Sequence, residues 1–114
     1  MQNQGGFRLR VSIPQTGRYN DYNENTIARA EKFRAICEQI AELYEAKDAA
    51  YGNSFGETYA KLGIISAATR ISDKCNRLCS LAVNPNIDDL GESIEDTLMD
   101  LAAYSVMTII ELRK

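Results

Sequence analysis

Three segments of this chain repeat apolar residues at the spacing of an α-helix, and that limits it to a helical architecture more firmly than any other feature. The first runs from Asn25, read as an N-cap, to about Ala49, with Ile27, Ala30, Phe33, Cys37, Ile40, Leu43 and Tyr44 on one stripe. Glu31, Glu38, Glu42 and Glu45 fall on the opposite side. The second, roughly 62–82, carries Ile64, Ala67, Ala68, Ile71, Cys75, Leu78 and Cys79 on a broad apolar face, and Asn84-Pro85-Asn86 ends it. The third, roughly 90–113, is apolar almost all round from Leu98 to Leu112, the pattern of a central buried helix. Tyr51-Gly52-Asn53-Ser54-Phe55-Gly56 reads as a loop between the first two. The expected fold is mainly α, a small bundle of three main helices.

The N-terminal residues depart from that period. Phe7, Leu9, Val11 and Ile13 alternate with Arg8, Arg10 and Ser12, which predicts a short β-strand ended by Pro14. Its backbone groups need partners, either from a hairpin with residues 18–22 or from a second copy of the chain. The organisation expected is an arm over 1–24 and a helical domain over 25–114. Pairing of strands between copies predicts a homodimer, or a higher assembly of dimers.

Composition excludes several functions. A net charge of −3 over 114 residues gives no electrostatic basis for non-specific binding to nucleic acid. No apolar run approaches the ~18 residues that span a bilayer, and Met1-Gln2-Asn3-Gln4-Gly5-Gly6 has no apolar core of a signal peptide, so a cytoplasmic protein is expected. The 3 cysteines are an odd set without any histidine to complete a metal site, and their apolar neighbours predict buried, reduced thiols.

The charged residues of the later helices form stripes. Arg70, Lys74 and Arg77 lie within about 60° of one another around a helix, with Asp73 beside them. Glu92, Asp96 and Asp100 make a second stripe at i, i+4, i+8. Asp100 stands among Leu98, Met99, Leu101 and Ala102, where a carboxylate requires a cation, a metal or several donors. The stripes pack either as an interhelical ion-pair network or as the walls of a polar pocket. Tyr51 and Phe55 offer faces for a base, and Asn53 and Ser54 offer hydrogen bonds to its edge or to phosphate.

From about Glu31 to Leu112 the sequence resembles the nucleotide-modification-associated domain family, common in phages. The resemblance is carried by Lys47 with Tyr51-Gly52-Asn53-Ser54-Phe55, by Arg70-Ile71-Ser72-Asp73-Lys74 with Asn76-Arg77-Leu78, and by the run Glu92 to Leu101 with Tyr104. Ala50 stands where members of that family tend to have Asp before the Tyr-Gly pair. The resemblance implies a ligand site built from Lys47, Tyr51, Asn53, Ser54, Phe55, Arg70, Asp73, Lys74, Arg77, Asp96 and Asp100. It implies a nucleotide-binding protein of phage type, in the host cytoplasm, that holds or sequesters a nucleotide or nucleotide-derived signal as an anti-defence sponge. No cofactor is required for such binding, and no catalytic residue is assigned. A more distant likeness is to the MazG-like all-α nucleotide pyrophosphohydrolases. Glu42 and Glu45 supply one Glu-x-x-Glu, and Glu92, Asp96 and Asp100 would be Mg²⁺ ligands for triphosphate hydrolysis. A non-catalytic interaction module, with purely structural stripes, is the third alternative.

Overall fold

A computed structural model of the chain describes residues 23–84 and 93–114. The expected strand over 7–13 and its hairpin partner over 18–22 lie outside the described residues. Those residues form four α-helices and, among them, no strand: α1 (Glu24–Tyr51), α2 (Ser54–Leu62), α3 (Ile64–Val83) and α4 (Ile94–Leu112). The chain divides into two units between Ala35 and Ile36, inside α1, and the helix packing and the cleft belong to residues 36–114. No described helix is long and apolar enough to cross a membrane.

The start of α1 corrects the expected cap. The Asn23 side chain, not that of Asn25, accepts a hydrogen bond from Thr26 N at 2.8 Å, so Asn25 is already inside the first turn. The fourth helix, α2, corrects the loop expected over 51–56. After α1 the chain spends only Gly52 and Asn53 outside a helix. Gly52 takes a left-handed conformation at φ 83° and closes α1 with a bond from its N–H to Asp48 O at 2.8 Å. Asn53 then starts α2 by accepting from Gly56 N at 3.1 Å. A Cβ at Gly56 would collide with the Asn53 amide, so glycine here preserves the cap. We expect Asn53→Ala to cost about 1 kcal/mol in denaturant unfolding, and Asn53→Asp, which can still accept the bond, to cost much less.

The most extensive pairing is between α3 and α4, and α2 packs on both. Leu81 is 1% exposed and Ala67 is fully buried on α3, while the buried residues of α4 are Thr97 and Thr108. Those threonines satisfy their hydroxyls within their own helix. Thr97 Oγ1 donates to Ser93 O at 3.0 Å, and Thr108 Oγ1 donates to Tyr104 O at 2.7 Å.

Two expectations about burial are overturned. Helix α4 is not enclosed on all sides: Leu98, Val106, Ile109, Ile110 and Leu112 are exposed, because α3 and α2 cover only part of its circumference. The cysteines are free, but Cys37, Cys75 and Cys79 are all exposed. The side of α3 that is turned inward follows Ala67, Arg70, Lys74, Arg77, Leu78 and Leu81. One residue beyond Lys74 and Leu78 is about 100° further round the helix, which carries Cys75 and Cys79 outward. No residue of α1 is buried either.

A cleft walled by α1, α2 and α4

A cleft of about 230 Å³ opens where the end of α1, the start of α2 and the middle of α4 meet. The last turns of α1 contribute Ile40, Leu43, Tyr44, Lys47, Asp48 and Tyr51, which recur every three or four residues and so share one side of the helix. From α2 and its cap come Asn53, Ser54 and Phe55. Arg70 enters from α3, and Met99, Asp100, Ala103, Tyr104 and Met107 come from α4.

One wall is aromatic. The Phe55 and Tyr104 rings stack with centroids 5.9 Å apart and planes 16° from parallel. The Arg70 Cζ lies 5.8 Å from the Phe55 centroid and 5.9 Å from that of Tyr104. A guanidinium at this distance is attracted by the negative faces of both rings, which fixes a cation at the cleft without a carboxylate partner being needed there. Phe55 is buried and Tyr51, on the rim, is 84% exposed.

The other polar feature joins three helices. Asp100 on α4 pairs through Oδ2 with Lys74 Nζ of α3 at 3.0 Å, and its Oδ1 is 3.9 Å from Lys47 Nζ of α1. The cation that Asp100 was expected to require is therefore supplied twice. The side chains of Lys74 and Asp100 are 20% and 29% exposed, whereas Lys47 reaches further into solvent.

Lys47, Tyr51, Asn53, Ser54, Phe55, Arg70 and Asp100 of the expected site are thus brought together. Lys74 stands behind them through its bond to Asp100. Asp73 is exposed on α3, and the half-buried Arg77, with its Nε sealed from solvent, does not line the cleft. Asp96 serves the start of α4 in a capping box: its backbone N–H donates to Ser93 Oγ at 3.0 Å and its carboxylate accepts from Ser93 N at 3.3 Å. Tyr104, Met99, Met107 and Asp48 are lining residues that the stripes did not single out.

The donors proposed for Mg²⁺ are placed differently from one another. Glu92 lies outside the described residues, Asp96 closes the capping box, and Asp100 faces two ammonium groups. Glu42 and Glu45 are exposed on α1. Among the described residues no three His, Cys, Asp or Glu side chains gather as a metal ion would require.

A helical unit with an aromatic cleft that carries both cations and carboxylates is what the described residues define. Over residues 47–112 the chain matches the family described as nucleotide modification associated domain 1, and it belongs to that family. The matched span starts at Lys47 and takes in every cleft residue except Ile40, Leu43 and Tyr44. No curated protein and no solved structure matches the chain.

Proposed function

We propose that the cleft binds a nucleotide or a nucleotide-derived molecule and holds it without converting it. The observation that carries this reading is Arg70, seated over the stacked Phe55 and Tyr104 rings in the same cleft as Lys47. A nucleotide needs an apolar face for its base and cations for its phosphate, and this cleft brings both within one small volume. The start of α2 adds the positive end of a helix dipole on the cleft at Ser54. Tyr51 on the rim supplies a further aromatic face that solvent leaves uncovered. Family membership supports a nucleotide as the ligand class, and Ala50 beside Tyr51 supports holding over conversion. A protein that retains a nucleotide-derived signal in this way acts as a sponge.

The test is calorimetric titration with linear and cyclic mono-, di- and triphosphate nucleotides, alongside mass spectrometry of whatever copurifies. Arg70→Ala is expected to weaken the bound nucleotide by about 1–3 kcal/mol, roughly 5- to 150-fold. Arg77→Ala, whose side chain does not line the cleft, is expected to lower melting temperature with the affinity of the folded protein unchanged. Asp96→Ala should likewise cost about 1 kcal/mol of stability through its lost cap and spare binding. Steady hydrolysis of a triphosphate in the presence of Mg²⁺ would replace the holding role with an enzymatic one. Absence of binding across the whole panel would remove the nucleotide reading.

A further inference from the structure

Two carboxylates line the cleft, and they differ in what neutralises them. Asp100 has Lys74 and Lys47, but among the described residues no ion pair or hydrogen bond reaches the carboxylate of the half-buried Asp48. Asp48 is also badly placed for its own helix. It lies in the last turn of α1, which carries no basic residue, and there the negative end of the helix dipole disfavours a carboxylate. A charge that breaks a local rule without compensation is expected at a functional position. In a cleft that holds an anion, such a carboxylate repels phosphate and has to face the neutral part of the ligand. We propose that Asp48 reads the edge of the base and selects guanine nucleotides, an inference that rests on the nucleotide reading of the cleft.

The choice of base follows from the donors that each one presents. An ionised carboxylate only accepts hydrogen bonds, and its two oxygens suit two parallel N–H groups. Guanine offers that pair, its ring N–H beside its amino group. Adenine and cytosine bring one amino group next to a ring nitrogen whose lone pair opposes the second oxygen. Uracil and thymine bring one N–H between two carbonyls. Tyr51 follows Asp48 by three residues, on the same side of α1, and its ring is exposed. A base stacked on that ring turns an edge toward the carboxylate. Asn53, which also lines the cleft, is the complementary donor. Its Oδ1 is taken up by Gly56 N, which leaves Nδ2 for the guanine carbonyl.

The test is calorimetric titration of the full chain with the mono- and triphosphates of guanosine, inosine, xanthosine, adenosine, cytidine and uridine, and of deoxyguanosine. The guanine nucleotide is expected to bind tightest, roughly 10- to 150-fold tighter than the inosine nucleotide, whose base lacks only the amino group. Asp48→Asn turns one acceptor into a donor. Guanine should then lose its advantage, and xanthine, with a carbonyl in place of the amino group, should gain. The melting temperature of this variant should be unchanged or higher, since a negative charge leaves the end of α1. General loss of structure does not exchange one base preference for another. Equal binding of all bases by the parent protein would overturn the guanine assignment and leave the nucleotide reading standing. A guanine preference that survives Asp48→Asn would overturn the role of Asp48. Affinity that follows the ribose hydroxyl and not the base would overturn it as well, by moving the carboxylate to the sugar. Failure of every one of these nucleotides to bind would remove the guanine inference, whereas the nucleotide reading itself falls only if cyclic nucleotides also fail.

Discussion

Replacing Phe55 with alanine is expected to remove about 3–5 kcal/mol from the folding free energy and to abolish nucleotide binding together. Phe55 is one of the few large side chains that are buried, and it carries the stack with Tyr104 and the seat of Arg70. Truncation leaves a cavity between α2 and α4, where the displaced ring has no substitute. Chemical denaturation at a fixed protein concentration measures the first loss, and calorimetric titration of the remaining folded protein measures the second. Phe55→Leu separates them: it refills most of the volume, so stability falls less, while the aromatic face and its hold on Arg70 are still lost. Full affinity in Phe55→Leu would show that the base does not depend on this wall.

Leu81→Ala should have a stability effect of similar size, about 2–5 kcal/mol, with a different signature. Leu81 is sealed from solvent toward the end of α3, and it does not line the cleft. Against a total stability of roughly 5–15 kcal/mol for a small domain, such a loss brings unfolding near physiological temperature. The affinity of the molecules that remain folded should be unchanged. Equal affinity losses in Leu81→Ala and Phe55→Ala would mean that the cleft responds to general loosening, and the assignment of Phe55 to binding would fail.

Much of this architecture was legible in the sequence because long helices announce themselves by period. The segments expected over 25–49, 62–82 and 90–113 are α1, α3 and α4 with shifts of a few residues at their ends. Helix α2 was hidden because Gly52, Asn53, Ser54 and Gly56 have the composition of a loop. The same Asn that suggests a turn is the N-cap, and one glycine allows the close approach that the cap needs. Burial was misread for a related reason. Period reveals which residues share a side, not whether another helix covers it, so the run from Leu98 to Leu112 and the three cysteines were expected in a core that the described residues do not close over them. The cleft was legible where unlike residues occurred together, as in Lys47 with Tyr51-Gly52-Asn53-Ser54-Phe55. It was hidden where lining residues such as Ala103 and Met107 look like ordinary members of an apolar helix. Asp96 looked like part of an acidic stripe with Asp100, yet four residues along a helix that begins at Ile94 separate a capping position from a position beside Lys74.

Gly63 is the whole connection between α2 and α3, and at φ 72° and ψ −158° it occupies backbone space that is essentially closed to other residues. Its N–H also bonds Tyr59 O at 2.7 Å, and its carbonyl accepts from both Ser66 N and Ser66 Oγ. The joint therefore works as an elbow with one allowed angle, transmitting the direction of one helix to the next. Phe55 lies near one end of this bent lever and Arg70 on its other arm. Loop tips usually accept added residues, but here one inserted residue would re-aim α3 and carry Arg70 away from the two rings. In an insertion scan of the 36–114 unit, this position should be among the least tolerant even though it lies outside the cleft itself.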